Sequence, residues 1–190
     1  MATFFFASSI TPGPNNIMLA SSGLNYGFRR TIPHMLGISV GCMAMILVLG
    51  LGLGALFVKW PVLHTVLKVV CVAYLLYLAY KIATAGPIGA GDKQGKPLSF
   101  LQAAGFQWVN PKAWAMVLGV VTVYVPQTNF LVNLGIAIAV AGVINLPSIS
   151  IWTLFGVLLK RWLSQPSAVR AFNVTMAVLL VLSVYPMLVE

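Results

Sequence analysis

Thr11-Pro12-Gly13-Pro14-Asn15-Asn16 lies near the start of a chain that is almost wholly apolar around it. Neither proline can donate to a helical ladder, and Gly13 frees the backbone between them, so the sequence predicts a helix that breaks here and restarts. Met1 to Thr11 and Pro14 to Tyr26 would each cover half of a bilayer's hydrocarbon core at about 1.5 Å per residue, which puts the break near the midplane. Freed backbone is tolerated at that depth only where protein or a water-filled cavity satisfies it. The amides from Asn15 onward suit a carboxylate, and the carbonyls before the break suit an ammonium group.

The rest of the chain supports lipid as the solvent. It has 190 residues, 60% of them hydrophobic and 7% charged, with a mean hydropathy of +0.98. That is more apolar side chain than one small water-soluble core buries. Spans are expected at about Ala2–Tyr26, Pro33–Val58, Pro61–Ala83, Ser99–Tyr124, Asn129–Leu159 and Ala168–Val189, with Pro33, Pro61 and Ser99 as helix starts. The polar stretch from Gly86 to Pro97 reads as a joint between halves. The expected fold is therefore an all-α integral membrane protein of six transmembrane helices in one domain. One repeat covers about 1–84, a linker about 85–98 and a second repeat about 99–190. No basic region precedes Phe4-Phe5-Phe6, so the first helix is expected to remain in the mature protein.

Charge sets the orientation. Arg29 and Arg30 follow span one, Lys81, Lys93 and Lys96 follow span three, and Lys160, Arg161 and Arg170 flank the turn after span five. Lys59 alone falls in a connection on the other side, so the former loops are expected in the cytoplasm and both termini outside. The net charge of +9 is spread over helix ends without interleaved aromatics, which excludes nucleic acid as a partner. Cys42 and Cys71 lack metal-ligand spacing and read as small apolar residues.

Two halves of three helices have opposite topology, and the sequence carries a faint repeat. Thr11-Pro12 answers Asn110-Pro111, and each is followed in the next span by a Gly-Ile pair, Gly37-Ile38 and Gly135-Ile136. This predicts a 3+3 inverted repeat with helices one and four broken.

In span four, Gln107-Trp108-Val109-Asn110-Pro111-Lys112 places Lys112 at mid-depth, where an ammonium is costly and marks function. Lys68 sits shallower in span three and is expected to snorkel to the surface. Thr11, Pro12, Gly13, Pro14, Asn15 and Asn16 in span one, with Asn110, Pro111 and Lys112 in span four, form the candidate solute-binding set. Tyr74 and the Asn145 of Asn145-Leu146-Pro147-Ser148, a further irregularity, join it, with packing as the open alternative for each. Gly37/Gly41 and Gly50/Gly54 are read as close helix packing, and Met35, Met43 and Met45 as core. His34 and His64 are placed at helix starts near the surface without a special role.

The Thr11-Pro12-Gly13-Pro14-Asn15 signature, Asn110-Pro111-Lys112 and Ala73-Tyr74-Leu75 together resemble the LysE/RhtB family of bacterial amino-acid exporters, over essentially the entire length. The resemblance implies efflux of amino acids or close derivatives across the bacterial cytoplasmic (inner) membrane, driven by the proton gradient. Two departures stand out: a shorter stretch before Thr11, and Cys71-Val72-Ala73-Tyr74-Leu75 where the family pattern has Gly-Ala-Ala-Tyr-Leu. The expected partners are an amino-acid-like solute and the lipid bilayer, with homo-oligomerisation left open and no cofactor.

The rival reading is a metal or cation efflux transporter, whose site wants carboxylates or clustered His and Cys. Asp92 and Glu190 are the only acids, one in a loop and one at the C-terminus. An embedded enzyme would need a nucleophile with a base, or paired carboxylates, at depth, and no catalytic set is expected. For the same reason a cationic side chain on the solute would find no counter-charge, so neutral or polar amino acids are expected over lysine and arginine.

Overall fold

The computed structural model describes residues 1–53, 61–85, 96–163, 165–183 and 185. Among these are eight α-helices and no strand: α1 Ala2–Ile10, α2 Pro14–Tyr26, α3 Phe28–Val48, α4 Pro61–Ala83, α5 Phe100–Gln107, α6 Pro111–Tyr124, α7 Phe130–Trp162 and α8 Pro166–Leu182. A π-helical turn, Leu49–Leu53, extends α3. Proline opens α2, α6 and α8, where its missing N–H removes no ladder bond. Ser99 and Gln102 close a reciprocal capping box on α5. Both expected breaks are present, one between α1 and α2 and one between α5 and α6.

Phe28–Gly52 and Phe130–Lys160 are long and apolar enough to cross a membrane, with mean hydropathies of 2.2 and 2.0. α6 and α8 are shorter apolar helices. Large aliphatic side chains such as Val69, Leu101, Val123, Leu131 and Val143 lie exposed on several different helices, a surface suited to lipid.

Three expectations about the helices change. α3 begins at Phe28, not Pro33, because Gly27 alone turns the chain from α2, at a φ of 80° that favours glycine. Pro33 then lies inside the helix, and the carbonyl it leaves unpaired belongs to exposed Arg29. The earlier start carries His34 a turn deeper, so it is 2% exposed and not at the surface. In α7, Pro147 causes no break: the helix continues through it, the freed carbonyl is that of exposed Val143, and the Ser148 and Ser150 hydroxyls bond Ile144 O and Leu146 O at 2.7 Å. His64's side chain, Lys59, Gly54 and residues 86–95 of the joint lie outside the described residues.

α1 and α2 pack on α7, α5 and α6 on α3, α3 on α7, and α4 on α8. Gly37 and Gly41 let α3 meet α5 closely, as their spacing predicts: a Cβ on Gly37 would lie 2.3 Å from Phe100 O, and one on Gly41 2.8 Å from Ala104 Cα. Gly23 and Gly156 do the same between α2 and α7, where added Cβ atoms would lie 2.1 Å from Thr153 O and 2.0 Å from Ala20 O. Met35 and Met45 are buried and Met43 packs beside Met45's cluster, matching their reading as core.

Candidate functional site

The break after α1 frees carbonyls that a continuous helix would pair. Thr11 recovers one, its hydroxyl bonding Ser8 O at 3.1 Å, while its N–H keeps the ordinary helical bond to Ala7 O at 3.2 Å. The Asn16 amide donates to both Ser9 O and Thr11 O at 2.7 Å, folding the start of α2 back over the end of α1. Trp152 on α7 donates its indole N–H to Ile10 O at 3.0 Å. Lys112 of α6 completes the set: its Nζ lies 2.6 Å from Thr11 O, 2.8 Å from Thr11 Oγ1 and 3.2 Å from Pro12 O. All three ammonium protons thus have an oxygen, and none of the three is an acid.

Gly13 leaves room for the Lys112 stem. A Cβ on it would lie 2.7 Å from Lys112 Cδ and 3.2 Å from Nζ. Its own φ of 178° is ordinary extended backbone, so contact with Lys112 is the constraint.

The second break is closed by a local turn. Trp108, Val109 and Asn110 bond back to the carbonyls of Gly105, Phe106 and Gln107. Asn110 Oδ1 accepts the Lys112 amide at 3.1 Å and caps α6. α2, by contrast, has no side-chain cap, which leaves the amides at its start to suit an anionic group. A reciprocal amide pair joins the breaks: Asn15 Nδ2 donates to Gln107 Oε1 at 2.8 Å, and Gln107 Nε2 to Asn15 Oδ1 at 3.1 Å.

Between the breaks lies a cavity of about 30 Å³, lined by Ser9, Asn15, Asn16, Gln107, Lys112 and Asn145 among others. That is room for one or two waters. Two buried polar atoms of its lining, Ser9 Oγ and Asn145 Oδ1, have no hydrogen-bond partner.

The structure therefore gathers Thr11, Pro12, Gly13, Asn15, Asn16, Asn110, Lys112 and Asn145 at one place, with Pro14 and Pro111 as the first residues of the helices that hold them. Tyr74 is elsewhere. Its ring packs on Phe106 at 5.8 Å between centroids and on Tyr77 at 6.0 Å, in a cluster formed by α2, α4, α5 and α8. Sequence reasoning missed Gln107, Ser9, Cys42 and Trp152. Gln107 and Ser9 stand within a turn of the breaks, which is a usable signal; Trp152 carries none.

The family model of the LysE type translocator matches residues 6–185. Proteins named cysteine/O-acetylserine efflux protein from Salmonella typhimurium and from Escherichia coli are each 32% identical to it over 184 residues, which is 94% of this chain and 91% of the relative. No solved structure matches. With nearly its whole length matched, the chain belongs to the LysE type translocator family.

Proposed function

We propose that the chain is a secondary exporter of small neutral or polar amino acids and their derivatives, of the cysteine and O-acetylserine kind for which its relatives are named. Its place is the bacterial cytoplasmic membrane. The observation that carries the reading is the Lys112 ammonium seated on the carbonyls of Thr11 and Pro12. Those oxygens were expected to suit a solute's ammonium, and the chain's own lysine occupies them. A zwitterion inserted here would satisfy both sides at once, its carboxylate taking Lys112 and the uncapped start of α2, its α-ammonium taking Thr11 O and Pro12 O.

At about 30 Å³ the cavity is smaller than an amino acid, so binding requires the breaks to separate and the Asn15–Gln107 pair to open. Lys112 is the charged group of the site, and its protonation is the natural link between solute and a proton gradient. No Asp or Glu occurs among the described residues, which favours neutral over cationic side chains. The metal or cation rival gains no support: among the described residues no three of His, Cys, Asp or Glu gather.

A 3+3 inverted repeat of six spans, with repeats over about 1–84 and 99–190, is supported by the packing. Exchanging the halves maps α1 and α2 on α7 onto α5 and α6 on α3, and leaves α3 on α7 and α4 on α8 unchanged. The cytoplasmic placing of the connections after spans one and three is supported by their sharing one end: Tyr26, Lys81 and Lys96 line a single cavity.

Counterflow in proteoliposomes tests the function. Labelled serine, cysteine or O-acetylserine should accumulate against unlabelled solute inside, and lysine should do so several-fold less. Lysine moving at least as fast as serine would remove the preference; a divalent metal moving while no amino acid does would remove the exporter. For orientation, single cysteines at Gly91 and Gln127 in intact cells should label with an impermeant reagent at Gln127 and not at Gly91. The reverse pattern would invert the topology.

A further inference from the structure

A larger cavity, about 200 Å³, lies beyond the first one, lined by Ser21, Ser22, Tyr26, His34, Lys81 and Lys96 among others. Its least exposed polar residue is His34, 2% exposed, with neither ring nitrogen bonded to protein. Burying an imidazole without partners is costly. Neutral imidazole offers one N–H donor and one acceptor, which together match a carboxylate oxygen and an ammonium. Lys81 and Lys96 are exposed and add positive potential, with no acid among the described residues to offset it.

α2 lines both cavities. Asn15, Met18, Ser22 and Tyr26 are spaced i, i+3, i+7 and i+11 on α2, which puts them on one stripe of the helix. Asn15 lines the smaller cavity, and Met18, Ser22 and Tyr26 line the larger. Met18 is the single apolar side chain of that stripe, and thioether side chains yield readily.

We propose that the His34 cavity is a second solute-binding site, which takes a small zwitterionic amino acid before it passes Met18 to reach the break. This rests on the exporter reading for its purpose, and its test does not depend on transport. Thr84 lines this cavity and is exposed, so Thr84→Cys in the full-length chain, with Cys42 and Cys71 replaced by alanine, gives a reporter there. In detergent-purified protein its alkylation by a small maleimide should be slowed at least about fivefold by saturating L-serine or O-acetyl-L-serine, while ethanolamine and acetate, each lacking one charge, protect weakly. His34→Phe should raise the half-protecting concentration about tenfold, and His34→Gln, which keeps a donor and an acceptor, should bring it back to within about threefold of wild type. Melting curves confirm that each variant is folded. Absence of protection in folded Thr84→Cys, or equal protection with phenylalanine at position 34, would overturn the second site. Protection without any counterflow by wild type would leave the second site standing and remove the exporter.

Discussion

At the first break, local bonds from Thr11 and Asn16 are joined by side chains of other spans, Trp152 of α7 on Ile10 O and Lys112 of α6 on Thr11 O and Pro12 O. At the second, three successive amides turn back on the residues just before them, and Asn110 caps the helix it begins. Similar Thr-Pro and Asn-Pro sequences thus produce opposite wiring. A break satisfied by remote partners can exchange one partner for another, such as an ammonium for an ammonium. A break satisfied locally serves instead as a mount, fixing the height and direction from which Lys112 reaches out.

The sharpest way to break this contrast is at Lys112. Lys112→Gln leaves Pro12 O and Thr11 O without their cation and should reduce gradient-stimulated flux to background in reconstituted vesicles. Lys112→Arg keeps a charge but cannot release a proton, so it should still bind solute and lose its response to an imposed pH gradient. Undiminished gradient-stimulated flux through well-folded Lys112→Gln would contradict the exchange outright.

Gly13→Ala probes the same contact from the other side. The added Cβ, 2.7 Å from Lys112 Cδ, displaces the lysine stem at an overpacking cost of about 1–3 kcal/mol, so flux should fall about tenfold or more. The smallest effect is expected at the mount. Asn110→Ala removes one cap worth about 1 kcal/mol and should lower the melting temperature by about 2–4 °C. A collapse of stability as large as the loss of a whole helix would mean that the second break is not locally satisfied.

What the sequence displayed was backbone chemistry. Prolines marked both breaks, Gly37 and Gly41 marked a close helix contact, and Lys112 stood out because an ammonium at depth needs a reason. What it did not display were pairings set by tertiary packing. Asn15 and Gln107 are 92 positions apart, and Trp152 reaches Ile10 across 142. Pro147 looked like an irregularity in span five because periodicity does not reveal that its freed carbonyl belongs to an exposed residue. His34 looked superficial because Gly27, not Pro33, sets where α3 begins. Tyr74 was grouped with the site by its polar tip, yet its ring packs on Tyr77 and Phe106 and does not line the cavity between the breaks.

The glycine contacts carry a mechanical consequence. At Gly23 and Gly156 the backbones of α2 and α7 touch with no side chain between them, and at Gly37 and Gly41 those of α3 and α5 do the same. Such seams slide poorly, since any shift drives backbone into backbone. Each pair should travel as one stiff plate, with hinge motion concentrated where the plates meet each other and α6 through longer side chains: at the Asn15–Gln107 clasp, along the crossing of α3 with α7, and at the Lys112 tether from α6.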